Sequence, residues 1–268
     1  MIEVAADLIK CSQYLLITVG AGMGVDSGLP DFRGVHGFWR AYPAAKRLGL
    51  RFEELANPRW FEENPKLAWA FYGHRLHLYR KTDPHIGFRL LLEIAQQKKD
   101  YFVVTSNVDG QFQKAGFDEM KIDEVHGSIH YLQCTKPCCE RIWSAEGIEI
   151  HINEDLFLAK DPLPKCPYCG AIARPNILMF GDWNWISRRE EAQNRRFEHF
   201  MQEAQKSLVI VEIGAGTAVP TIRLLGERIS QNYNVPLIRI NPREEEGATV
   251  GLALGGKEAI RKIYEVLQ

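Results

Sequence analysis

The sequence predicts an α/β protein: a doubly wound, Rossmann-like parallel sheet carrying a helical insertion and a small zinc-binding module. Three observations predict it. Short apolar runs ending in small or polar residues alternate with amphipathic helical patterns. Two stretches break that alternation, one aromatic and helical, the other rich in Cys and Pro. The 268 residues, 46% hydrophobic and 25% charged, can bury a sizeable core and are neither disordered nor fibrous in composition.

Taken in order, Ile2 to Cys11 reads as an amphipathic helix, with Cys11 as a buried small hydrophobe. Tyr14 to Val19 reads as a buried strand before Gly20-Ala21-Gly22. From Val35 to Asp83 no strand is predicted; Phe38, Trp39, Trp60, Phe61, Trp69, Phe71 and Tyr72 mark an aromatic helical insertion. Ile86 to Gln96 is a helix, Tyr101 to Val104 a strand before Thr105-Ser106-Asn107, and Lys121 to Val125 a short strand. Tyr131 to Gly170 holds the clustered cysteines with Pro162, Pro164 and Pro167, a module pinned by a metal. The pattern then resumes with a helix at Arg188 to Lys206, a strand at Leu208 to Ile213 before Gly214-Ala215-Gly216, a helix at Thr221 to Ser230 and a strand at Pro236 to Ile240 before Asn241. The expected division is 1–34, 84–130 and 171–268 for the sheet domain, 35–83 for the insertion and 131–170 for the module. In such sheets ligands bind past the carboxyl ends of the strands, where the Gly- and Asn-rich segments lie.

Composition also excludes. Lys plus Arg number 33 against 34 Asp plus Glu, so no bulk attraction draws the chain to nucleic acid or an anionic membrane, and neither is an expected partner. No apolar stretch approaches the roughly 20 residues of a membrane helix, and the start lacks the basic-then-apolar order of a signal peptide. The expected location is cytoplasmic. The sequence does not specify an oligomeric state, and a monomer satisfies it.

Four constellations could carry chemistry. Gly20 to Gly34 follows a strand, and its glycines would let the backbone approach a pyrophosphate, met by N–H groups and a helix N-terminus. However, Val25 stands where the dinucleotide fingerprint wants a third glycine, and no acid follows about 20 residues on, which disfavours an ordinary dehydrogenase. Cys134, Cys138 and Cys139 with Cys166 and Cys169 form two knuckles suited to a tetrahedral, structural Zn²⁺ with four thiolates; spacing leaves Cys138 and Cys139 equally eligible. Asn107 and Asp109 lie at a strand end, and His126 lies where it could join them as a general base. Gly251 to Lys257 mimics a phosphate loop, but Glu258 replaces the Mg²⁺-binding hydroxyl and no clear strand precedes it, so it reads as a turn into the last helix.

In this order the motifs resemble the sirtuin family of NAD-dependent protein deacylases, over most of the chain. Gly20 to Gly34 resembles the family's Gly-Ala-Gly…Ser-Gly-Ile-Pro-Asp-Phe-Arg loop, Thr105 to Gly116 its Thr-Gln-Asn-Ile-Asp…Ala-Gly, and His126-Gly127 its catalytic His-Gly. Arg174 to Asp182 resembles its substrate-binding Arg-Pro…Phe-Gly-Glu, and Gly214 to Pro220 with Ile240-Asn241 its adenosine half-site. The departures are Gly24 for Ser, Ser106 for Gln, Phe112 for a frequent His, Asp182 for Glu, Gly214-Ala215-Gly216 for Gly-Thr-Ser, and three rather than two residues between Cys134 and Cys138.

The resemblance implies NAD as co-substrate, contacted by Gly20, Ala21, Gly22, Asp31, Phe32, Arg33, Ser106, Asn107, Asp109, Gly214, Ala215, Gly216 and Asn241. It implies His126, Asn107 and Asp109 as catalytic, Cys134, Cys138, Cys166 and Cys169 as ligands of one structural zinc, and acylated lysine of protein substrates as partner. Nicotinamide and O-acyl-ADP-ribose would be the products. The peptide would add a strand near Ile177, Leu178, Phe180 and Gly181. Tyr72 and Arg75, three apart, resemble the Tyr-x-x-Arg of members that prefer succinyl-lysine to acetyl-lysine; the plainer alternative puts Arg75 on a solvated helix face with Arg80 and Lys81. Rival functions are an ADP-ribosyltransferase or NAD-consuming hydrolase on the same site, and an NAD- or ADP-ribose-sensing binding module.

Overall fold

The computed structural model describes residues 1–30 and 34–268. In chain order the strands are β1 (Tyr14–Val19), β2 (Asp100–Thr105), β3 (Ile122–Glu124), β4 (Gly127–Cys134), β5 (Trp143–Ser144), β6 (Ile152–Asn153), β7 (Leu158–Ala159), β8 (Ala173–Ile177), β9 (Leu208–Ile213), β10 (Leu237–Ile240) and β11 (Val250–Leu252). The helices are α1 (Ile2–Cys11), α2 (Gly34–Ala41), α3 (Pro43–Arg47), α4 (Phe52–Leu55), α5 (Trp60–Glu63), α6 (Pro65–Lys81), α7 (Ile86–Gln96), α8 (Gln111–Lys114), α9 (Arg188–Ala204), α10 (Thr221–Tyr233) and α11 (Gly256–Leu267).

Six strands pair in parallel in the order β11-β10-β9-β1-β2-β3. This is the doubly wound order, whose direction reverses between β1 and β9. β1 and β9 are buried along their whole length, as apolar runs covered on both faces must be. Phe88, Leu91, Ile94, Ala259, Ile260 and Ile263 from α7 and α11 cover one face; Phe197, Phe200, Ile222 and Ile229 from α9 and α10 cover the other. α1 joins the first group through Ala5, Ala6 and Ile9. Cys11 is exposed rather than buried, because it falls off the stripe that those three residues define.

The predicted strand set misses β11, which spans part of the phosphate-loop mimic. Three residues with Gly251 in the middle are too short and too weakly β-forming to register as a run. The turn that follows does lead into the last helix, and the amide of its second residue is already capped: the Lys257 N–H donates to the Asp26 carboxylate at 2.9 Å, which fills the place an anion would take.

The insertion α2–α6 packs against a second, antiparallel sheet, β5-β4-β8, in a separate core. The bounds 131–170 fall inside this sheet, which runs from Gly127 to Ile177. α6 begins with Pro65 after Asn64, whose side chain accepts from Leu67 N–H at 3.1 Å. Its Trp69 is fully buried and donates to the Ala173 carbonyl at 2.9 Å, so Trp69→Ala would cost roughly 3–5 kcal/mol by truncation alone. Among the described residues, no helix is long and apolar enough to cross a membrane.

Candidate active site

Two glycine loops meet where the sheet reverses direction. The Gly20 N–H donates to Ile213 and the Gly22 N–H to Gly214, each at 3.0 Å. The contact is backbone on backbone: a Cβ on Gly20 would lie 2.7 Å from the Gly214 oxygen, and one on Gly214, at φ +63°, would lie 2.5 Å from Gly22 Cα. The glycines therefore serve loop-to-loop packing, and the amides of Gly20 and Gly22 are committed there rather than presented to a pyrophosphate. Past Gly20, Ala21–Ser27 winds into a 3₁₀ helix. Its end is held by the Ser27 hydroxyl, which accepts from the His85 N–H, and by the His85 ring, which bonds the Met23 carbonyl.

These loops form one side of a cavity of about 380 Å³, within the size range of small-ligand sites. Its floor comes from the ends of β2 and β3. The Asn107 side chain donates to the Gly20 carbonyl at 3.0 Å, and the Asp109 carboxylate accepts from the Gln111 N–H at 2.9 Å. Burial, reinforced by the charge of Glu124, pushes Asp109 up to about 6, although the Gln111 amide opposes it. His126 follows β3 directly. Its imidazole is held below the ordinary histidine range by burial, against a hydrogen bond to the Ser106 backbone, which leaves it a neutral base at pH 7. Backbone bonds fix it from both sides: Val125 N–H donates to Thr105 in the large sheet, and the His126 carbonyl accepts from Leu178 N–H at 2.9 Å. Next to it Gly127, at φ +77°, has no room for a side chain, since a Cβ would lie 2.1 Å from the Asn176 oxygen.

The cavity continues between the insertion and β8. Tyr72 and Arg75 line it, and Arg75 is only 6% exposed, which overturns the solvated-face reading. The Arg75 Nε and Nη2 donate to the Tyr79 hydroxyl at 3.1 and 2.9 Å. The buried Tyr72 hydroxyl has no hydrogen-bond partner among the described residues, and burial pushes it up to about 12. On the outer rim stand Leu178 and Phe180. Strand addition there is restricted: the N–H groups of Leu178, Met179 and Phe180 already donate to His126, Asp182 and Ala56, leaving a peptide the carbonyls. A buried, bidentate Arg174–Asp182 pair holds this turn, so the shorter acid still reaches its partner.

Away from the cavity, the sulfurs of Cys134, Cys138, Cys166 and Cys169 all lie within 4.8 Å of one another. Cys134–Cys169 and Cys138–Cys166 are 3.6 and 3.7 Å apart, close to the roughly 3.8 Å edge of a tetrahedron with 2.3 Å zinc–sulfur bonds. The set fits Zn²⁺, and it includes Cys138 but not Cys139, whose sulfur lies 3.8 Å from that of Cys138. With four protein ligands no open position remains, and the ion would hold the small sheet rather than act on a substrate.

The family model described as the Sir2 family matches residues 20–221. The chain belongs to the Sir2 family. An NAD-dependent protein deacylase of Thermococcus kodakarensis is 31% identical over 82% of this chain and 76% of its own length; one of Aquifex aeolicus is 29% identical over 95% of each. Among solved structures, a Sir2 homologue variant with ADP-ribose superposes with TM-score 0.76 at 26% identity over 100% and 96% of the two chains. A Sir2 homologue–NAD complex gives 0.74 at 27% identity over 99% and 95%.

Within this Sir2 fold the cavity gathers Gly20, Ala21, Ser106, Asn107, Asp109, His126, Gly214, Ala215, Gly216, Tyr72, Arg75, Ile177, Leu178 and Phe180 from six separate segments. Gly22, Gly181 and Asn241 do not line it. Asn241 is fully buried, donating to the Ala215 carbonyl at 2.9 Å and accepting from Arg243 and Glu244 amides, so it shapes the loop from behind. Asp31, Phe32 and Arg33 lie outside the described residues. Phe112 is core, packed on Phe88 and Phe117. Sequence reasoning missed Tyr79, although its spacing of four from Arg75 and seven from Tyr72 puts it on their helix face.

Proposed function

We propose that the chain is an NAD-dependent protein-lysine deacylase that releases nicotinamide and forms O-acyl-ADP-ribose. One observation carries this reading: a neutral histidine base, an amide-and-carboxylate floor and two small-residue loops share a cavity with an apolar, peptide-accessible rim. Its relatives bearing the deacylase name support it. NAD would lie across the β1/β9 switch point, with its nicotinamide end toward Asn107 and Asp109. There the acyl-lysine carbonyl oxygen bonds to the anomeric carbon as the bond to nicotinamide breaks. The Asp109 carboxylate stabilises the positive charge that develops, and His126 then accepts the ribose hydroxyl proton. A cluster of unpaired thiols supports a reducing compartment, and the cytoplasm is the location proposed.

Product analysis separates the rivals. Incubation with NAD and an acyl-lysine peptide should give O-acyl-ADP-ribose. Equal ADP-ribose with and without peptide would mean hydrolysis, and modified peptide would mean ADP-ribosyl transfer.

For the acyl group, the unsatisfied Tyr72 hydroxyl and the buried Arg75 guanidinium support an acidic chain such as succinyl. Succinyl-lysine peptide should then be cleaved with higher kcat/KM than acetyl-lysine peptide. Arg75→Met should reverse that preference by about 1.5–3 kcal/mol. Better turnover of acetyl-lysine by the unaltered protein would remove the idea.

A further inference from the structure

We infer that Trp183 is a specificity-determining residue that receives a bulky apolar side chain flanking the acyl-lysine in the substrate polypeptide; this rests on the deacylase reading. Trp183 is 96% exposed, so nearly all of its indole faces water. A looser loop would account for that trivially, but the backbone on both sides is held. Asp182 pairs with the buried Arg174, and its carboxylate also accepts from the amides of Met179 and Asn184. The Asn184 carbonyl accepts from the Gln133 side chain at 2.8 Å. Ile186 is bonded at both backbone groups, its N–H donating to Gln133 and its C=O accepting from Asn176. The exposed ring is thus set on a fixed turn rather than left at a loose end.

Its place identifies the occupant. The same turn carries Leu178 and Phe180, 38% and 39% exposed, which line the cavity containing His126. Trp183 follows Phe180 by three residues on this turn, which places it beside the rim that must receive the lysine-bearing chain. The acid on this turn is buried against Arg174, so it offers no exposed carboxylate to a basic neighbour. Wide aromatic faces that become covered on association are the usual anchors of an interface. With the N–H groups of Leu178, Met179 and Phe180 committed, the rim offers a peptide its carbonyls, and side-chain contact of this kind adds to them in positioning it.

The test compares the unaltered protein, Trp183→Ala and Trp183→Phe at saturating NAD. The substrates are acyl-lysine peptides flanked by Leu and Phe, the same peptides flanked by Ser and Asp, and a capped acyl-lysine with no flanks. Trp183→Ala should raise KM for the apolar-flanked peptide about 5- to 30-fold with kcat unchanged, as loss of an interface anchor does. The capped lysine should be unaffected, and Phe should restore most of the loss. Unchanged KM for every peptide would overturn the inference; so would an equal loss with the capped lysine, which would signal a structural role. An unaltered protein that deacylates none of these substrates would overturn the deacylase reading, and this inference with it.

Discussion

Replacing Gly214 by Ala tests how the two glycine loops build the site. Gly214 sits at φ +63°, where a side chain costs roughly 1–2 kcal/mol of backbone strain. The new Cβ would stand 2.5 Å from Gly22 Cα and from Met23 N, and ordinary contact begins near 3.4 Å. The loops must then part by roughly 1 Å, which also breaks the Gly22 N–H bond to Gly214, a further loss of about 1 kcal/mol. Total destabilisation should be about 2–4 kcal/mol. Because a 1 Å misplacement in a reacting geometry costs on the order of 100-fold in rate, kcat/KM for NAD should fall by about that factor. Gly49→Ala is the control: φ is +68°, but nothing lies within 4 Å of the added carbon. It should show only the backbone strain, with NAD kinetics intact. Urea denaturation and steady-state NAD kinetics read both effects. If the two variants lose stability equally and both keep NAD turnover, the interlocking account is wrong.

Elemental analysis should find about one zinc per chain, and Cys138→Ala should lose it and lower Tm while Cys139→Ala does neither; equal loss from both would mean that the ligand set is wrong. His126→Ala should abolish deacylation with NAD affinity nearly unchanged, and full retained turnover would exclude its role as base. Activity should fall as pH drops through about 6, where Asp109 takes up a proton, and burial places the protonation of His126 below the ordinary histidine range; a profile flat to pH 5 would contradict the role of Asp109. Asp123 is buried on β3 and pushed up to about 7, chiefly by burial, so the folded chain holds a proton that the unfolded chain releases near pH 4. Its contribution to stability is complete below pH 4 and is lost as pH rises through 7, by up to about 4 kcal/mol. Asp123→Asn should flatten that decline in a pH series of urea melts, and an unchanged slope would refute it.

The parallel core was legible because strands buried on both faces must be continuously apolar, and Tyr14 to Val19 and Leu208 to Ile213 are. β11 was not, since an edge strand of three residues takes its stability from its neighbour rather than its own side chains. The floor of the site was legible because chemistry-bearing residues follow the strands in short motifs. The roles of the first loop's amides were not: only the fold reveals that Gly20 and Gly22 face another loop. Likewise, nothing local distinguishes Arg75 from the exposed Arg and Lys around it. Its burial depends on the insertion closing over β8, a contact between segments about 100 residues apart.

His126 occupies the junction between two sheets. The peptide before it is tied to the large parallel sheet through Val125 and Thr105, and its own carbonyl is tied to the rim through Leu178. The base thus belongs to neither sheet alone: the bond to Thr105 keeps it in register with the Asn107–Asp109 floor, and the bond to Leu178 makes the same residue the anchor of the rim.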